Sequence, residues 1–169
     1  KRTMKYVDNL FAGFISIDPS GKETYLSNAI KYKAKLKKLD DELRTTLSSI
    51  PKNRRVLVTC EGAFTYLAYD YGMDEAYLWP VNAESQVTPK RMLNLINKVN
   101  ERQIPTIFCE STVSSKAQRE VAKASGARFG GIFYVDSLSQ KTGPAATLLD
   151  LSRHHVDLIQ KGLTSERCE

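Results

Sequence analysis

Three acidic residues in this sequence stand at equivalent places. Glu61 comes just after Val56-Leu57-Val58-Thr59, Glu110 after Thr106-Ile107-Phe108-Cys109, and Asp136 after the run from Gly130 to Val135. Each preceding run is short and apolar, which is the pattern of a buried strand. Carboxylates gathered in one crevice repel one another and are costly to dry together. Something must offset that cost, and a hard or borderline divalent cation does so most economically. Acidic residues also cap helices, so capping of the element after each strand stands beside metal binding as a reading of the same residues.

Other chemistries find less support. There is no P-loop, because Gly126, Gly130 and Gly131 precede a strand and lack the following Lys-Ser/Thr. There is no nucleophile elbow of the GxSxG type. The only histidines, His154 and His155, are neighbours on one predicted helix. Adjacent helical residues point about 100° apart, so the two cannot chelate one ion from one face. One is expected packed or partly buried and the other exposed. Three cysteines, Cys60, Cys109 and Cys168, do not make a disulfide framework. Cys60 and Cys109 are expected as small buried hydrophobes, and a bridge between them requires their strands to be neighbours.

The net charge is +6, which raises the question of nucleic acid. The lysines concentrate at Lys31, Lys33, Lys35, Lys37 and Lys38, with Asp40, Asp41 and Glu42 following. That is a solvated helix face, and no nucleic-acid partner is expected. An enzyme using carboxylate-bound Mg2+ or Mn2+ for phosphoryl chemistry is an alternative. It needs a cation for phosphate near the strand ends, and Lys116 and Arg119 are the nearest.

The elements that must hold the three acids follow from periodicity. Met4, Val7, Leu10, Phe11, Phe14 and Ile17 predict a helix over 2–17, broken by Asp18-Pro19-Ser20-Gly21. A second helix is predicted over 22–49; at 1.5 Å per residue it reaches about 40 Å, long enough to link two lobes. From Arg55 onward, strands at 56–59, 76–79, 106–109 and 130–135 alternate with helices at 63–71, 89–101, 114–125 and 145–163. Thr88 and Pro89 give a sound helix start. The alternation predicts an α/β fold, a four-stranded parallel sheet with helices on both faces. Ligands bind such sheets beyond the carboxyl ends of the strands, where strand order reverses. With order 2-1-3-4, Glu61 and Glu110 flank that reversal.

The stretches 56–67, Tyr77–Asn82, Ile107–Thr112 and Phe133–Leu138 resemble the manganese/zinc solute-binding proteins of ABC importers. The most specific segments are Phe108-x-Glu110-Ser111-Thr112 and Tyr134-x-Asp136-Ser137-Leu138. The resemblance implies a two-lobe protein with metal in the cleft. It divides the chain into the tail of the amino-terminal lobe (1–20), a long interlobe helix (21–50) and the carboxyl-terminal α/β lobe (51–169). It assigns Glu110 and Asp136 as metal ligands, with Glu61, Ser111 and Ser137 behind them. The expected cargo is Mn2+, with Zn2+ as the alternative, and no metal is expected to be needed for folding. Two further ligands, both histidines, are expected from an amino-terminal lobe that this chain lacks, so the chain alone should bind metal weakly. The resemblance also implies delivery to a membrane permease, no enzymatic activity, and a periplasmic or membrane-anchored extracellular location.

Overall fold

The computed structural model describes residues 2–83 and 87–167. It divides into two compact units, Lys1–Thr45 and Thr46–Glu169.

In the first unit, helix α1 (Arg2–Ile17) is followed by a 3-10 turn (Pro19–Gly21) and the start of α2 (Lys22–Ser48). Asp18 organises the corner. Its carboxylate accepts from the Ser20 hydroxyl at 2.5 Å, the Tyr25 hydroxyl at 2.7 Å and the Gly21 amide at 3.3 Å. The two hydroxyls hold its pKa below the usual carboxylate range. Phe14 packs on Tyr25 at 5.4 Å between ring centres. Val7, Leu10, Phe11 and Phe14 line an apolar groove with Tyr25, Ala29 and Tyr32. Leu10, Phe14 and Ile17 remain largely exposed. The lysine-rich stretch of α2 is a paired face, with Lys33 on Asp8, Lys37 on Asp41 and Lys38 on Glu42. Among the described residues no helix is long and apolar enough to cross a membrane.

The second unit carries the alternating elements: β1 (Val56–Glu61), α3 (Thr65–Tyr71), β2 (Asp74–Trp79), α4 (Pro89–Glu101), β3 (Thr106–Glu110), α5 (Lys116–Ser125), β4 (Arg128–Phe133) and α6 (Leu148–Thr164). Local chemistry sets the ends. Gly72 closes α3 at φ 67°, a left-handed position that costs glycine little. The Thr88 hydroxyl accepts the Arg91 amide at the start of α4, with Pro89 in the first turn.

All strand pairing is parallel. β1 pairs with β2, and β3 pairs with β4. β1 and β3 lie side by side, so the spatial order is 2-1-3-4. Their hydrogen-bonded ladder is not continuous, however, and the sheet is built as two pairs. A side chain interrupts the seam: the Glu61 amide donates to the Glu110 carboxylate.

Every residue of β1 and β3 is buried, as a sheet covered on both faces requires. α4 and α5 pack together on one face; α6 lies on the other, against β3 and β4. Side chains alternate accordingly. Thr106 and Phe108 meet α6 at Gly162, where an added Cβ would fall 2.7 Å from the Phe108 ring. The Phe108 ring also needs the space at Gly130, where a Cβ would come within 2.5 Å of it. The register shifts between Ile107 and Cys109, and Gly131 sits at φ 134°. Gly130 and Gly131 thus form a bulge that turns the end of β4; this is their structural role.

Candidate metal centre

Glu61 and Glu110 are the last residues of β1 and β3 rather than the first residues of loops. Their neighbours Cys60 and Cys109 form a disulfide with Cα atoms 4.8 Å apart. This corrects the expectation of two separate buried thiols. The condition set for a bridge, neighbouring strands, is met. With the cysteines on one face of the sheet, alternation puts both glutamates on the other. Cys168 lies outside the described residues. The Cys60 and Cys109 sulfurs and the Glu110 carboxylate lie within 4.8 Å of one another, but the sulfurs are used in the disulfide and are not free to ligate.

Glu110 has an exposure of 0 %. Both its oxygens receive the Glu61 amide, at 3.3 and 3.2 Å. Burial pushes its pKa up to about 7, and the Glu61 charge adds to that, against the opposing pull of the amide. Glu61 keeps an exposure of 7 %. One of its oxygens accepts the amide of Asn82, in the turn after β2. Asn82 is left-handed there, at φ 58°.

Asp136 lies three residues beyond Phe133, which is level with Glu110 in the ladder. It too is left-handed, at φ 57°, and its side chain is exposed. Two serines shape its loop. The Ser111 hydroxyl accepts the Val135 amide at 3.3 Å, while the Ser137 hydroxyl donates to the Val135 carbonyl at 3.3 Å. The Ser111 amide donates to the Phe133 carbonyl at 2.8 Å.

Helix capping explains none of the three acids. α3 begins at Phe64 with no side-chain cap, α5 likewise at Ser115, and α6 is capped by Thr147. The structure therefore brings Glu61 and Glu110 into direct contact and places Asp136 at the carboxyl end of the strand beside them.

The histidines have roles that sequence spacing did not show. In β4 the Phe133 carbonyl faces β3, so the Ile132 carbonyl and the Tyr134 amide face the open edge. His154 Nε2 lies 3.3 Å from the Ile132 carbonyl and donates to it. The Tyr134 amide donates to His155 Nε2 at 3.0 Å. Two adjacent side chains of α6 thus complete the edge strand. Both are engaged, where one was expected exposed. His155 is only 4 % exposed, and burial pushes its pKa down to about 4. Its ring packs on Phe133 at 4.9 Å and on Phe64 at 5.8 Å. The only sequence signal was the pair itself, at the face of α6 that meets β4.

Comparison with known proteins agrees with this architecture. Residues 1–162 match the family described as ZnuA, zinc-uptake complex component A, periplasmic. The iron-binding protein YfeA of Yersinia pestis is 48% identical over 157 residues, covering 93% of this chain and 50% of that protein. The manganese ABC transporter substrate-binding lipoprotein PsaA of Streptococcus anginosus is 30% identical, covering 95% of this chain and 52% of its own length. The chain thus spans about half the length of these relatives. A Mn-bound periplasmic metal-binding protein from Candidatus Liberibacter asiaticus superposes with a TM-score of 0.87 at 37% identity, covering 95% of this chain and 59% of that one. The periplasmic zinc-binding protein TroA of Treponema pallidum gives 0.87 at 25% identity, covering 94% and 59%. The chain belongs to the family described as zinc-uptake complex component A, periplasmic.

Proposed function

We propose that this chain supplies one side of the metal site of a solute-binding protein that captures Mn2+ and hands it to a membrane permease of an ABC importer. Relatives named for manganese, iron and zinc support a transition-metal cargo. An oxygen-rich half-site suits Mn2+, although zinc binds at least as tightly by the usual affinity order. The carrying observation is the pair of carboxylates at the ends of neighbouring strands, with a third acid beyond the next strand.

The sequence resemblance pointed to Glu110 as ligand, with Glu61 behind it. Burial favours exchanging those roles. Glu61 keeps some surface, whereas Glu110 has none and is occupied by the Glu61 amide. The ligands proposed here are therefore Glu61 and Asp136. Glu110 holds the main chain of Glu61, and Ser111 and Ser137 hold the loop of Asp136. The remaining ligands, two histidines, come from an amino-terminal lobe. The proposed location is the periplasm, or the outer face of a membrane through a lipid anchor, as the names of the relatives suggest. The phosphoryl-transfer alternative gains nothing from the structure. The Arg119 guanidinium lies 3.9 Å over the Phe129 ring and its Nε donates to Ser115.

Manganese chloride titrated into the 15N-labelled chain tests the assignment, through paramagnetic broadening of amide signals. Binding is expected to be weak and centred on Glu61 and Asp136. Glu61→Gln and Asp136→Asn should each weaken it, and Glu110→Gln should leave most of it. Loss on Glu110→Gln with retention on Glu61→Gln would restore Glu110 as the ligand.

A further inference from the structure

The Asp136 loop leaves β4 at Tyr134; the Val135 amide is held by the Ser111 hydroxyl, and the main-chain donor before it is the Tyr134 amide. That amide points away from β3, toward α6, and its partner is the imidazole of His155 at 3.0 Å. An amide can only donate, so Nε2 must present its lone pair and the ring must be neutral with its proton on Nδ1. The surroundings keep it so. The ring is buried and lies against Phe133 and Phe64. Phe64 is three residues past Glu61 on the chain. One imidazole therefore touches both segments that lead to the proposed ligands, the turn after Glu61 through a ring contact and the turn before Asp136 through a hydrogen bond. His154 fixes the preceding carbonyl of the same edge. Asp136 follows two residues later at φ 57°, a backbone state that an aspartate holds only when its neighbours define it.

We propose that His155 is a positioning residue for Asp136: its Nε2 acceptor anchors the Tyr134 amide and so fixes the loop that presents the carboxylate to the metal. The inference rests on Asp136 as a ligand. Hydrogen-bonding partners behind metal ligands are worth roughly 10- to 100-fold in metal affinity, and an anchor acting through two residues of main chain belongs at the lower end.

The same manganese chloride titration, on the chain with its disulfide intact, separates the possibilities. His155→Phe keeps a ring in the aromatic cluster but has no acceptor, and should weaken Mn2+ binding about tenfold. His155→Gln places an amide oxygen near the Nε2 position and should recover most of that loss. It should also keep the Tyr134 amide slow to exchange with solvent, whereas His155→Phe should make it fast. Equal affinity for His155→Phe and the native chain overturns the proposal. So does a His155→Gln variant as weak as His155→Phe, since packing alone would then be at work. If Asp136→Asn binds Mn2+ like the native chain, the ligand assignment itself falls, and that result is distinct from the other two. Should His155→Phe not fold, the scalar coupling between the Tyr134 amide nitrogen and His155 Nε2 in the native chain decides. A measurable coupling supports the anchor, and its absence overturns it.

Discussion

Glu110 and His155 should drive the pH dependence of stability in opposite directions, so that removing one exposes the other. Glu110 is shifted up from 4.5 to about 7. Its proton is held more tightly in the folded chain, so stability falls as pH rises from 4.5 through about 7. His155 is shifted down from 6.5 to about 4. Its proton is held more tightly in the unfolded chain, so stability rises with pH across that interval. At about 1.4 kcal/mol per pH unit, each group accounts for roughly 3 kcal/mol. The two slopes cancel where they overlap, and the native chain should show a nearly flat profile between pH 4.5 and 6.5. Glu110→Gln imitates the protonated carboxyl. It leaves His155 unopposed, and stability should climb by roughly 3 kcal/mol from pH 4 to 6.5. His155→Gln leaves Glu110 unopposed, and stability should drop by a similar amount from pH 4.5 to 7. Urea unfolding with the disulfide intact measures this, followed by the emission of Trp79. It is the single tryptophan, buried at the end of β2 and within the unit that holds both groups. Exposed carboxylates contribute equally to all three proteins, so the differences between profiles isolate the pair. If both variants are as flat as the native chain, neither group is shifted and the burial argument fails.

Three further outcomes follow from particular contacts. The disulfide closes a loop of 49 residues; replacing Cys60 and Cys109 together by alanine should cost about 4 kcal/mol in urea unfolding, and a loss below about 1 kcal/mol would mean the bridge adds little. The Thr147 hydroxyl accepts the Asp150 amide at 3.2 Å and donates to its carboxylate at 2.6 Å. Thr147→Ala should therefore cost about 1 kcal/mol and fray the start of α6 in hydrogen exchange. The exposed Leu10, Phe14 and Ile17 of α1 should drive self-association. Light scattering should show a mass that rises with concentration and falls back for Leu10→Lys with Ile17→Lys, and a strictly monomeric native chain would contradict this.

Local pattern carried most of the architecture. The apolar spacing of α1, the Thr88-Pro89 start of α4 and the glycine after α3 each act over a few residues, and each was readable. The strand ends were less so, and the site depends on them. β1 and β3 run on to Glu61 and Glu110 because Trp79 and Phe133 pair with these residues. Pairing is non-local, and the apolar runs alone stop one or two residues short. The difference decides the chemistry. An acid in a loop is free to turn toward solvent, whereas an acid in a strand must follow the alternation. Glu110 shares its face with Phe108 and is carried into the interior with it. The disulfide needs β1 beside β3, an order that the sequence allowed only as a condition. The edge completed by His154 and His155 needs β4 to be the outer strand. Each of these features depends on contacts between strands and helices far apart in the chain, which local spacing does not determine. Order also explains why the buried acid sits where it does. At the central seam of a 2-1-3-4 sheet, Glu110 takes the Glu61 amide that the opposing strand leaves unpaired. The carboxylate that the family resemblance assigned as a ligand is thus the one the fold uses to hold its neighbour.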